Sequence, residues 1–245
     1  MGAVIRGRFQ RLPITVPDFV RDHPFLQSMA CEVISLPAAA SLDRLRRDRP
    51  TISGTPVFLP THLGVLGANP GLSFNSGGGS STGYQQFTGR TGSSANGYTF
   101  AGIVVRNATN NSSVSYIFSF ETSVNTSLVA SLLFGNGTQF SMYFAGTLRG
   151  SSVTLTIGVP YFIIASTETK GANSAWYIKI LNLETGAMTS NQSGSATASS
   201  AGATSWSFLG SAAFGYSFTG YGHFACLGSK YLDPTLADVW LRDPT

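Results

Sequence analysis

Tyr116-Ile117-Phe118-Ser119-Phe120-Glu121 is the stretch whose reading decides the fold. In an extended chain Tyr116, Phe118 and Phe120 fall on one side and Ser119 and Glu121 on the other. That is the period-two signature of a strand with one face buried. Val153-Thr154-Leu155-Thr156-Ile157 repeats it, with three apolar residues opposite two threonines. Working outward, similar runs are punctuated by Gly and Asn clusters. They predict strands near 56–59, 72–75, 84–88, 98–106, 115–121, 127–134, 138–145, 152–157, 161–167, 175–182, 205–209 and 219–227. Gly135-Asn136-Gly137 between two of them is a hairpin signal, because Asn-Gly suits a type I′ turn. Thr189–Ala203, rich in Ser, Ala, Gly and Thr, reads as a loop without core residues. Asp233 and Pro234 suit the cap and first position of a short helix, with Leu236, Val239 and Trp240 on its docking side. The fold class is all-β.

Composition narrows the chemistry. Of 245 residues, 11% are charged, against about 25% in an average domain, so the surface is one of Ser, Thr, Asn and Gly. Glu121 is the sole acidic residue between Arg49 and Thr167. A retaining glycosidase needs two carboxylates about 5 Å apart, and no Glu-x-Asp-x-x-Glu strand exists. Glu121, Glu168 and Glu184 are isolated, each followed by Thr, and read as solvated strand-end or turn residues. A Ser-His-Asp triad needs a histidine held by a carboxylate. His23, His62 and His223 show no such arrangement, and His223 reads as an edge or core histidine. No Gly-x-Ser-x-Gly elbow is present, and Gly77–Ser81 lacks the end of a phosphate-binding loop. Calcium asks for several oxygen ligands including carboxylates, which this region does not offer. Cys31 and Cys226 lack the spacing of a zinc site; free buried thiols are preferred over a disulfide between them. The expectation is a chain that is not an enzyme, with no catalytic, cofactor-binding or metal residues.

Sugar binding requires less: an aromatic platform with a few amides or hydroxyls. Tyr84, Tyr98, Trp176, Tyr177, Trp206, Tyr216 and Tyr221 are the candidate platforms, each weighed against core or rim packing. Arg44–Arg49, RLRRDR, is the one basic cluster. Its interleaved Asp43 and Asp48 favour a helix-surface ion-pair face over nucleic acid. Asn107, Asn110, Asn111, Asn125, Asn136 and Asn191 head Asn-x-Ser/Thr sequences and read as turn residues.

Residues 1–50 differ from the rest, with eight arginines, five acidic residues and no lysine. Prolines interrupt the segment, and apolar residues such as Phe9, Phe19, Phe25 and Ile34 keep it from being a solvated tail. Ser41–Pro50 suits one short helix. The preferred division is an extended N-terminal arm over 1–50, burying its side chains on its own sandwich or a neighbour, and a β-sandwich over 51–245. An ordinary N-terminal strand and loop of one domain is the alternative. No signal peptide and no membrane-spanning run is expected.

From about Gly97 to Thr245 the order of elements resembles the concanavalin A-like/laminin-G-like jelly roll. GYTFAGIVVR is similar to that family's opening strand. YIFSFETS, LVASLLFGNGTQFSMYF and VTLTIGVPYFIIASTE follow in its order, then WYIKILNLETG. FTGYGHFACLGSKYLDPTLADVWLRDP resembles its closing strand and helix, with Leu232–Val239 in the helix position. Such domains with extended arms resemble bacteriophage head-decoration or fibre proteins. The resemblance implies a structural protein of a virion, docked through residues 1–50 on capsid or tail proteins, forming a homo-oligomer without nucleic acid. A lectin-like adhesin recognising a cell-surface glycan is the alternative it leaves open.

Overall fold

Runs that alternate in the sequence pair in space. The computed structural model describes residues 23–35, 50–59, 71–75, 83–88, 96–107, 114–122, 128–135, 139–198, 202–214 and 216–242. The strands are β1 (Cys31–Ser35), β2 (Thr51–Ser53), β3 (Val57–Leu59), β4 (Gly71–Asn75), β5 (Tyr84–Thr88), β6 (Tyr98–Arg106), β7 (Val114–Glu121), β8 (Leu128–Gly135), β9 (Gln139–Phe144), β10 (Thr147–Thr154), β11 (Pro160–Thr167), β12 (Ser174–Asn182), β13 (Met188–Ala196), β14 (Ser205–Phe208) and β15 (Gly220–Gly228). Helices are α1 (Pro24–Ser28) and α2 (Pro234–Arg242). An eight-stranded sheet runs β13-β12-β11-β6-β15-β4-β3, with β1 also paired to β15. A seven-stranded sheet runs β10-β9-β8-β7-β14-β5-β2. The chain is an all-β sandwich of jelly-roll type with a short C-terminal helix, as the alternation predicts.

The inner core lies between the sheets. Tyr98, Phe100, Ile163 and Trp176 of one sheet meet Phe118, Phe120, Phe140 and Trp206 of the other, all buried. Phe100 stacks on Phe118 with centroids 4.3 Å apart. Each such side chain contributes on the order of 1.5–3 kcal/mol of burial. A second apolar layer covers the outer face of the eight-stranded sheet. Ile103, Val105, Phe162, Ile164 and Tyr177 lie there under Phe25 and Met29 near α1 and under Ala237 and Leu241 of α2. β6 and β11 are therefore buried on both faces, so their sequences, AGIVV and FIIA, read as continuous apolar runs rather than alternations.

Several expectations are corrected by what covers each strand. Part of the 1–50 segment is built into the sandwich. β1 is hydrogen-bonded antiparallel to β15, with Ile34 opposite Cys226, and Val33 sits in the inner core. Residues 1–22 and 36–49, with the helix expected over 41–50 and RLRRDR, lie outside the described residues, as do His62, Gly77–Ser81 and the Asn136 turn. Thr189–Ala203 is not a loop without core: β13 pairs with β12 along its length, and Ala198 and Ala203 are in the inner core. Its low hydrophobicity reflects an edge strand whose outward residues meet solvent. The VTLTI strand starts earlier than expected, at Thr147, and Ile157 lies beyond it, exposed. Its start is hidden behind the Ala145-Gly146 turn, where both residues have positive φ (53° and 78°), the twist a tight hairpin needs. The α2 docking side is Ala237, Leu241 and Trp240, not Leu236 and Val239, which are exposed. Asp233 caps the helix by accepting Thr235 N–H at 2.7 Å.

One side of the sandwich is closed by a side chain. Gln192 of β13 accepts the Ser151 N–H (2.6 Å) and donates to the Ser151 carbonyl (3.0 Å). It bridges the edge strands of the two sheets, β13 and β10. Beneath it the Trp176 indole lies against Gly150 and Gly194; a Cβ on either would come within 3.0 Å of the ring.

Candidate functional site

The outer face of the seven-stranded sheet follows from the same alternation. Phe118, Phe120, Trp206, Phe208, Phe140, Met142 and Phe144 point inward. Their neighbours therefore point outward: Ser119 and Glu121 on β7, Ser205 and Ser207 on β14, Ser141 and Tyr143 on β9, Gln86 on β5, Ser131 on β8. A β-bulge at Ile117 changes the register between Tyr116 and Phe118. Ile117 and Phe118 both face the core, and Tyr116 joins the outer face instead of following Phe118 inward as the sequence suggested. Six outward residues stand opposite one another across the sheet: Thr51, Gln86, Ser207, Ser119, Ser131 and Tyr143. Adjacent strands are about 4.8 Å apart, so this row of hydroxyls, an amide and a phenol runs perpendicular to the strands.

Glu121 lies beside the row. The expectation of a solvated strand-end residue is wrong, because the side chain has no exposed surface. A turn formed by residues 211–214 folds back over it. Glu121 Oε1 accepts Ser119 Oγ (2.6 Å), Ser211 Oγ (2.9 Å) and Ala213 N–H (3.2 Å). Its Oε2 has one long contact, from Ser205 Oγ at 3.4 Å, and Ser205 Oγ in turn accepts Gln86 Nε2 (2.7 Å). A carboxylate buried without donors would be very costly; these bonds compensate one oxygen well and the other poorly. The same turn lays Phe214 on Tyr116 as a near-parallel stack (5.9 Å, 10°), with Phe214 51% exposed. Burial, then the neighbouring Tyr143, Glu121 and Tyr216, push the Tyr116 phenol up to about 12. Tyr143, Glu121 and Tyr216 thus lie near the Tyr116 phenol, and Phe214 covers its ring.

Two members of the row are unsatisfied. Ser131 and Ser207 are fully buried, and neither Oγ has a hydrogen-bond partner. Buried hydroxyls are normally paired; Thr167 Oγ1 and the Tyr177 hydroxyl on the other sheet are likewise without a partner. Across β2, β5, β7, β8, β9 and β14, Glu121 is the one charged residue.

The other residues singled out from sequence do not assemble here. Tyr98, Trp176, Tyr177 and Trp206 are packing residues, and Tyr98 OH accepts Ala203 N–H. Tyr221 and His223 are buried on β15, their rings 5.3 Å apart. Tyr84 and Tyr216 are half-exposed and border the site. Glu184 is an exposed turn residue. Glu168 accepts Ala175 N–H and pairs with Lys170 at 2.6 Å. Burial pushes its carboxyl up, but these two partners outweigh it and hold the group below its ordinary value. Cys31 and Cys226 form no disulfide. Asn191 accepts from Lys179, which is also paired with Asp238 of α2 at 2.7 Å. Among the described residues no three His, Cys, Asp or Glu side chains gather in a metal-ligating group, and no helix is long and apolar enough to cross a membrane. Sequence reasoning missed Tyr116, Ser131, Tyr143, Ser207 and Phe214. Alternation marks most of them as outward, but nothing local marks the turn that gathers them.

No family model matches the chain, and no curated protein matches it. Solved structures do. Domain 4 of AbnA, an extracellular arabinanase of Geobacillus stearothermophilus in complex with arabinotriose, aligns with a TM-score of 0.54 at 12% identity, covering 84% of this chain and 95% of that domain. Trypanosoma rangeli sialidase in complex with the inhibitor DANA aligns with a TM-score of 0.59 at 10% identity. That match covers 97% of this chain and 36% of the sialidase, so the chain spans about a third of it. At such identities the likeness shows one thing, a shared β-sandwich fold.

Proposed function

We propose that this chain is a non-enzymatic carbohydrate-binding module whose ligand site is the outer face of the seven-stranded sheet. The observation that carries the reading is the row of hydroxyls, an amide and the Tyr143 phenol, near an exposed Phe214 that stacks on buried Tyr116. Sugars are recognised by that combination, an aromatic ring against the apolar face of a pyranose or furanose and hydrogen-bonding groups at its edge. The likeness to an arabinanase domain holding arabinotriose and to a sialidase supports it at the level of fold. Titration calorimetry against a broad glycan panel tests it. We expect a dissociation constant between micromolar and millimolar for at least one glycan, weakened at least about tenfold by Phe214→Ala. A flat response across the panel would sink the reading.

A second reading, a structural protein of a phage-like virion, is favoured by the surface. Charge is scarce, and Val57, Phe58, Leu236 and Val239 are exposed. In this reading the N-terminal segment docks on capsid or tail proteins, the sandwich faces outward, and copies self-associate within the particle, without nucleic acid or membrane insertion. Because β1 belongs to the sandwich, the test compares the full chain with residues 23–245 by light scattering. Assembly of the full chain alone supports it; identical monomers argue against it.

A further inference from the structure

We propose that the site around Glu121 selects neutral, hydroxyl-rich sugars and rejects acidic ones, with Ser131 and Ser207 as its direct hydrogen-bonding contacts. This rests on the carbohydrate-binding reading and specifies its ligand. Three observations carry it. First, Glu121 is the one charged residue on six of the seven strands, so no cation on them offsets a ligand carboxylate. An acidic sugar would have to bury its charge beside a carboxyl group and hydroxyls with no cation on these strands to pair with it, which disfavours it. Second, Oε2 of Glu121 keeps only the 3.4 Å contact with Ser205, leaving acceptor capacity that a sugar O–H fills and a sugar carboxylate does not. Third, Ser207 and Ser131 lie on either side of Ser119 in one cross-strand row, both fully buried and both without a partner. Three adjacent strands put them roughly 10 Å apart, a span suited to two linked sugar residues rather than one small ion.

Entry requires the 211–214 turn to give way. It touches Glu121 and Tyr116 through the pair of bonds from Ser211 Oγ and Ala213 N–H to Oε1 and the stack of Phe214 on Tyr116, while the Leu209 N–H to Ile117 carbonyl bond anchors its base. Ligand hydroxyls replace the two bonds in kind, so opening exchanges hydrogen bonds instead of losing them. The displaced Phe214, already half in solvent, is then free to lie on the sugar.

The test measures binding of the full chain to neutral trisaccharides of pentoses and hexoses, and to matched oligosaccharides carrying a uronic or sialic acid. We expect neutral probes to bind at least about tenfold more tightly than their acidic counterparts. Glu121→Gln keeps an acceptor and removes the charge, and should shrink that ratio. Ser207→Ala and Ser131→Ala should each weaken binding several-fold without lowering the melting temperature, because each removes a hydroxyl that has no partner in the free protein. A lowered melting temperature would mean these hydroxyls are structural and would overturn their role as contacts. Equal or tighter binding of acidic probes would overturn the selectivity while leaving the carbohydrate-binding reading standing. Sugar binding unaffected by both serine variants would place the ligand elsewhere and overturn the assignment. Binding of neither probe class would remove the carbohydrate-binding reading and this inference with it.

Discussion

The outer faces of the two sheets can be compared residue for residue. On the eight-stranded sheet the outward side chains include Ala101, Ile103, Val105, Phe162, Ile164 and Tyr177, roofed by α1 and α2, with the buried Lys179 paired to Asp238 of α2. On the seven-stranded sheet they include Gln86, Ser119, Ser131, Ser205 and Ser207, with Glu121 among them bonded to a short turn. Both sets are buried, for opposite reasons. The first is hidden because exposing it would leave a large apolar surface in water. The second is hidden although it is polar, and it keeps two hydroxyls unpaired. Hydrophobic burial explains a face that is only structural. The eight-stranded face leaves the Tyr177 hydroxyl without a partner as well, so the contrast is one of composition, an apolar layer on one face against a row of hydroxyls beside a carboxylate on the other.

The largest effect that tests this contrast is on the roofed face. Phe162 is buried beneath the helices, 1% exposed. Phe162→Ala should cost about 3–5 kcal/mol of stability, as large-to-small changes at buried aromatics do, read from the urea denaturation midpoint. A loss below about 1 kcal/mol would mean that the helices do not seal this face, and the contrast between the faces would fail.

A smaller effect sharpens the polar side. The Tyr116 phenol is pushed up to about 12 in the folded chain, first by burial and then by Tyr143, Glu121 and Tyr216, against about 10 when unfolded. A value raised in the folded state stabilises the protein fully below pH 10, and that contribution is lost as pH rises towards 12. Tyr116→Phe should therefore flatten the alkaline fall in stability between pH 10 and 12. Burial raises Tyr177 on the other face too, so part of the fall should persist. A variant whose pH profile overlays that of the natural chain would show that the 211–214 turn does not seal Tyr116.

Much of this was legible in the sequence because strand periodicity is local. β5 and β6 fall where alternation and apolar runs predict them, and most other expected strands agree to within a residue or two. What escaped was set by tertiary cover. β13 reads as a loop because an edge strand facing solvent needs no apolar residues. β1 escaped because five residues after a proline-rich segment carry no signal until β15 pairs with them. The site was less legible still. Glu121 followed by Thr looks like any solvated strand end, and only the fold-back of Ser211 and Ala213, about ninety residues away, buries it. The bulge at Ile117 moved Tyr116 from the expected core face to the site, and no local residue type announces it.

The smallest expected effect concerns α2, where periodicity alone chose the wrong side. Leu236 and Val239 are 46% and 55% exposed, while Ala237 and Leu241 are buried and Trp240 lies 4.0 Å from Phe25, ring to ring. Helical spacing permits either set to dock. Lys179 helps to decide it: its ion pair with Asp238, 2.7 Å long, fixes the rotation of the helix over β12. In the monomer the double variant Leu236→Ser/Val239→Ser should therefore change stability by no more than about 0.5 kcal/mol, as exposed positions do. Denaturation midpoints at low and high protein concentration check this. Agreement at both concentrations confirms that the apolar roof is complete without these residues. A loss that appears only at high concentration would show that a second copy covers them, extending the hydrophobic side of the comparison beyond one chain.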